Sequence, residues 1–122
     1  MHTKRGSFCA GAGGNGKNAF HCFFCGLAIT SSDRFTTISH SNIHCFTNPS
    51  GLRCEIYTFS SCPGAIPYGQ PTDEHSWFPE FRWSLALCRQ CKNHLGWHYT
   101  SISKLSKPRG FWGLLSYHLR TR

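Results

Sequence analysis

The chain has 122 residues and a formal charge of +8, which leaves room for one domain and no more. No stretch approaches the roughly 18 consecutive apolar residues of a membrane-spanning helix, and no run of five basic residues appears, so the charge reads first as solubility rather than as a tract for nucleic acid or membrane. A domain this small buries a modest core and often needs a staple; aromatic residues make up 15% of the chain, and its eight cysteines can supply the staple.

Residues 1–18 are small, polar and rich in glycine (Gly11, Gly13, Gly14, Gly16), the composition of a disordered arm. Cys9 within it reads as a free, exposed thiol. Lys4 and Arg5 are followed by no apolar run, so no secretory leader is expected. That points to a cytoplasmic, reducing compartment, where paired cysteines are more often metal ligands than disulfides.

Residues 19–27 lead from aromatics into Cys22-Phe23-Phe24-Cys25-Gly26. A strand enters, two cysteines bracket a tight turn, and glycine takes the strained position, as in a zinc knuckle. Residues 30–34 are turn-like. A strand is expected at 43–47, a turn at Asn48-Pro49-Ser50-Gly51, and a strand at 52–59, closing a hairpin. A four-residue turn sets Cys45 opposite Cys54, read as two small thiols rather than a disulfide. Residues 60–73 hold Pro63, Pro67 and Pro71, which forbid a central strand, and are expected to form a loop. Strands are expected again at 84–88, 94–100 and 111–115, separated by a polar loop at 101–108 and followed by a basic tail with at most one helical turn. The chain reads as mainly β.

The spacing Cys22/Cys25 and Cys88/Cys91 gives two knuckles 62 residues apart. Tetrahedral zinc takes four thiolates at about 2.3 Å, and two knuckles deliver them from two directions. One structural Zn2+ is therefore expected; with all four positions filled, no site for catalysis stays open. Such a unit lowers the net charge to about +6.

Residues 74–91 concentrate Trp77, Trp83 and the second knuckle, with Trp97 and Tyr99 just beyond. Two readings are open on the residues alone. The rings form an ordinary core, or they form a cage in which indole faces enclose a flat ring while a few polar groups orient it.

The motifs Glu-His-Ser-Trp-Phe-Pro at 74–79, Trp83, Ala-Leu-Cys-x-x-Cys at 86–91, His-Leu-Gly-Trp at 94–97 and Phe-Trp-Gly-Leu at 111–114 closely resemble the thalidomide-binding (CULT) domain family of cereblon and its single-domain relatives. The first CxxC and Asn48-Pro49-x-Gly51 match as well, so the resemblance covers roughly residues 20–119. It implies two antiparallel sheets meeting at a steep angle, a β-tent, pinned by zinc on Cys22, Cys25, Cys88 and Cys91. It implies cage walls at Trp77, Trp83 and Trp97, a floor at Tyr99, polar contacts from His75 and the Trp77 backbone, and Asn48, Pro49 and Glu74 at the mouth. The implied ligands are cyclic imides: glutarimides, uracil-type rings and cyclised C-terminal residues. The expected divisions are a disordered arm at 1–18, a CULT-like domain at 19–119 and a basic tail at 120–122.

The chain departs from the family at Ser50, Cys54 and Glu80, and leaves no room for the protease-like domain or the ubiquitin-ligase adaptor segment of full cereblon. A monomer that holds an imide or a cyclised peptide end, without membrane or nucleic acid, is the expected partner pattern. A methionine sulfoxide reductase-like enzyme would carry the same double CxxC but needs a late cysteine, and none follows Cys91. A zinc domain that grips RNA ends is the remaining alternative.

Overall fold

The computed structural model describes residues 18–121, together with the backbone of residues 3–4. Apart from those, the segment expected to be an arm lies outside the described residues, as does Cys9.

The described chain folds into two sheets in which every pairing is antiparallel. In the small sheet, β2 (Ala19–Cys22) pairs with β3 (Ala28–Ser31) across the first knuckle. Gly26, at φ 85, makes the left-handed turn that closes it. The final strand β10 (Leu119–Arg120) adds to the free side of β2, so the expected tail is partly built into the sheet. A short 3-10 turn, Ser116–His118, leads into it.

The large sheet has seven strands: β1 (Thr3–Lys4), β4 (Ile43–Thr47), β5 (Arg53–Phe59), β6 (Ala65–Thr72), β7 (Phe81–Cys88), β8 (His94–Ser101) and β9 (Gly110–Leu115). Their spatial order is β1-β4-β5-β9-β8-β7-β6. The expected strands at 43–47, 52–59, 84–88, 94–100 and 111–115 are all present, with small extensions or trims.

Two expectations are corrected. Residues 60–73 are not all loop, because β6 forms there in spite of its prolines. The proline rule itself holds: β6 is the edge strand, bonded only to β7, so a missing N–H costs least there. Its ladder breaks between Tyr68 and Thr72, where Gly69 turns at φ 93. The β4–β5 turn is also one residue longer than expected. Thr47 pairs with Arg53, and the Asn48 side chain accepts the Leu52 N–H at 2.9 Å. The shift sets Cys45 opposite Glu55 and Phe46 opposite Cys54. Cys54 is a free thiol and Cys45 is disulfide-bonded, so the expected pair of facing thiols does not form.

Alternation along the strands splits the core between the two faces of the large sheet. Tyr57, Phe59 and Leu114 join Phe20, Ile29 and Leu95 between the sheets, ending at the cysteine cluster. Ile56 and Leu115, from the opposite face, join Phe46, Phe78, Phe81, Tyr99 and Phe111, with Trp77, Trp83 and Trp97 packed on this second cluster. Rings lock together within each: Phe35 stacks on Phe59 at 4.8 Å, and Tyr99 on Phe111 at 4.8 Å. Each buried Phe contributes on the order of 1.5–3 kcal/mol.

Gly96 marks the tightest approach of β8 to β9. A Cβ there would fall on the Gly113 carbonyl oxygen and lie 2.7 Å from Leu114 Cα, both rigid backbone. Gly96→Ala should therefore cost about 1–3 kcal/mol and lower the melting temperature by at least several degrees, as read by differential scanning calorimetry.

Candidate functional site

The sulfurs of Cys22, Cys25, Cys88 and Cys91 all lie within 4.8 Å of one another. Four thiolates at ~2.3 Å around a tetrahedral ion stand about 3.8 Å apart. Cys22 and Cys91 are 3.7 Å apart and Cys25 and Cys88 3.6 Å, so the donor set fits one zinc ion. The first pair comes from the β2–β3 turn and the second from the β7–β8 turn, where Asn93 donates its side-chain N–H to Cys91 Sγ at 3.3 Å. That donor, followed by the Asn93 backbone, lowers the Cys91 thiol to about 6. Burial pushes Cys22 up to about 12, so ionising it in place calls for a cation beside it. A divalent ion supplies that charge and turns its binding energy into folding energy.

The aromatic constellation encloses a cavity of about 280 Å³ lined by Asn48, Pro49, His75, Trp77, Trp83, Trp97 and Tyr99. Of the eight residues expected around a ligand, these seven come together. The eighth, Glu74, points its side chain to solvent and instead uses its main chain, whose carbonyl accepts the Trp83 indole N–H at 2.8 Å. The cavity is near the lower limit of small-molecule sites, roughly 300 Å³, which suits a single ring. No lysine or arginine lines it.

Each wall is fixed by contacts behind it. Trp77 stacks on Phe46 at 4.7 Å and meets Trp97 edge-on at 4.9 Å. Tyr99 is almost fully buried, stacked on Phe111 and met edge-on by Phe78. Its phenol stays neutral, because burial drives its pKa well up. The loop that carries Trp77 is bolted by the buried Ser76 hydroxyl, which lies 2.9 Å from the Phe78 carbonyl and 2.8 Å from that of Phe81. His75 adopts φ 58 in this loop, and its half-exposed ring stands 3.9 Å from the Glu74 carboxylate. Sequence reasoning passes over Phe46 and Ser76. A serine inside an aromatic run is the one local signal for the bolt, and Phe46 is recognisable only once β4 is registered against β5.

Comparison with known proteins adds to this geometry. The family described as "Yippee zinc-binding/DNA-binding /Mis18, centromere assembly" matches residues 18–121. Protein cereblon of Gallus gallus is 42% identical over 69 residues, which are 57% of this chain and 16% of the chicken protein. Protein cereblon of Drosophila willistoni is 32% identical over 107 residues, 85% of this chain and 18% of the fly protein. The chain thus spans less than a fifth of the length of either relative. Among solved structures, the crystal structure of the Mis18 'Yippee-like' domain superposes with a TM-score of 0.59 at 15% identity, covering 86% of this chain and 94% of that one. The likeness shows a shared fold.

Because the four thiols join both sheets, Cys88→Ser should abolish stoichiometric zinc, measured by elemental analysis of the purified protein. It should also lower the melting temperature by roughly 10 °C or more. Cys62→Ser, outside the cluster, should leave the zinc content unchanged.

Proposed function

The chain belongs to the family described as Yippee zinc-binding/DNA-binding/Mis18, and on that premise we propose that it is a non-enzymatic binding module for cyclic imides. The ligands are glutarimide or thalidomide-like rings, uracil-type rings and cyclised C-terminal residues of proteins. The observation that carries this reading is the cavity of about 280 Å³ with three indole walls and no cationic lining.

A cyclic imide is flat and neutral, with one N–H between two carbonyls. Indole faces bury its apolar rim, and polar groups at one edge pair with the imide. His75, Asn48 and Trp77 are the lining residues that would face that edge. Trp83 offers only its face, since its N–H is already engaged by the Glu74 carbonyl. A charged ligand would enter a site with no counter-charge among its lining residues and leave its own groups unpaired. The walls are fixed by Phe46, Phe78 and Phe111, so little side-chain freedom is lost on binding.

Nucleophilic chemistry finds little support. Cys54 and Cys62 are buried, and desolvation raises both thiols, which keeps them protonated rather than reactive. The four remaining described free thiols are the metal cluster.

Titration with glutarimide, followed by tryptophan fluorescence, should saturate with a Kd on the order of micromolar and little dependence on salt. Trp97→Ala should weaken binding at least about tenfold at unchanged zinc content. Absence of saturation by the imide, with tight and steeply salt-dependent binding of a short RNA, would overturn the reading.

A further inference from the structure

The two cysteine turns are built alike. In the first, the Gly26 N–H donates to the Cys22 carbonyl at 2.8 Å, and the Cys22 N–H to the Leu27 carbonyl at 2.8 Å. In the second, the Lys92 N–H donates to the Cys88 carbonyl at 2.9 Å, and the Cys88 N–H to the Asn93 carbonyl at 2.9 Å. Gly26 and Lys92 both adopt the left-handed region, at φ 85 and φ 65. Leu27 and Asn93 therefore hold equivalent positions. Their side chains differ. Leucine has no polar atom, whereas the Asn93 carboxamide donates its N–H to Cys91 Sγ at 3.3 Å.

The sulfur that receives this bond is one of the two least sheltered. Cys22 and Cys88 are fully buried, while Cys25 and Cys91 are partly exposed. Four thiolates around one zinc ion carry a net charge of about −2. A thiolate at the solvent edge of such a centre is open to protons and electrophiles. An N–H aimed at its sulfur draws off electron density and fixes the direction of its lone pairs. Lys92, next to Cys91 in the chain, does not take that role: its ammonium donates to the Arg89 carbonyl at 2.5 Å. Asn93 makes no other side-chain hydrogen bond among the described residues, so its carboxamide serves the sulfur alone.

We propose that Asn93 is a positioning residue of the metal centre, whose carboxamide holds the Cys91 thiolate on the zinc ion and shields that sulfur from electrophiles. This role is independent of what the cavity binds. Removing such a partner of a metal ligand typically lowers metal affinity about 10–100-fold. Leucine is close to asparagine in size and already stands at the equivalent position of the first turn, so Asn93→Leu removes the bond and keeps the turn. Asn93→Asp keeps the size and the turn-forming character but replaces the donor with a carboxylate, which a negatively charged centre repels. A role in shaping the turn ranks Asn93→Asp above Asn93→Leu in zinc affinity. A role at the sulfur ranks them the other way.

The test measures zinc affinity of the full chain by competition with a chromophoric chelator. The exposure of each sulfur is read with iodoacetamide, where the Sγ lone pair forms the new S–C bond and iodide leaves. Peptide mass spectrometry then gives the alkylation of Cys91 relative to Cys25. Asn93→Leu should weaken zinc binding about tenfold, and Asn93→Asp more. Both should raise the ratio of Cys91 to Cys25 alkylation several-fold. Wild-type zinc affinity in Asn93→Leu, an unchanged alkylation ratio, or tighter zinc binding by Asn93→Asp than by Asn93→Leu overturns the assignment. Should Asn93→Leu fail to fold, Asn93→Asp decides alone: a loss of about tenfold or more with a raised ratio supports the role, and wild-type affinity or ratio overturns it.

Discussion

Everything in this domain hangs on one cross-link, the four thiols that join the β2–β3 turn of the small sheet to the β7–β8 turn of the large one. A chain of this size has little core to spare, and the core it has is divided between two faces of one sheet. The metal centre closes the end of the layer where packing runs out. It also fixes the β7–β8 hairpin, and that hairpin supplies two walls of the cavity: Trp83 pairs with Tyr99, and Leu85 with Trp97. Trp83 and Cys88 lie on the same strand, about 17 Å apart at the usual rise. Placing the cysteines therefore places the tryptophans.

The cavity stays open because each ring around it already has a better partner behind it. Trp77 lies flat on Phe46, Tyr99 on Phe111, and Trp83 is tethered by its indole N–H to the Glu74 carbonyl. Collapse into the space would break those contacts. The Ser76 hydroxyl closes the loop between Asp73 and Phe81 on itself, which holds Trp77 at the rim without the loop joining a strand. Neutrality is part of the design: Tyr99 is held as the neutral phenol by burial, burial also lowers the His94 imidazole next to Trp97, and no cation lines the space. The space is pre-formed, close to one ring in size and lined by no lysine or arginine.

Much of this was legible in the sequence, for physical reasons. The two CxxC pairs announce themselves because zinc demands four soft donors, and glycine after the first pair betrays the turn. Strands β4, β5 and β7 to β9 follow from alternation and β-branched or aromatic content. What escaped depends on neighbours rather than on local pattern. Strand β6 tolerates its prolines only because it is an edge, and edge position is a property of the whole sheet. The one-residue register shift that turns Cys45 to Glu55 is set by the Asn48 side chain reaching Leu52 N–H, which lengthens the turn. Glu74 enters the expected site through the family resemblance alone, and the contact its carbonyl oxygen makes to the Trp83 indole depends on how the loop folds back.

The central claim is that the metal cross-link builds the aromatic cavity. It is tested most directly by measuring glutarimide affinity calorimetrically while zinc is withdrawn stepwise with a chelator and restored. The account predicts that the fraction of protein able to bind the imide falls and recovers in proportion to bound zinc. Full imide binding by zinc-free protein would contradict it.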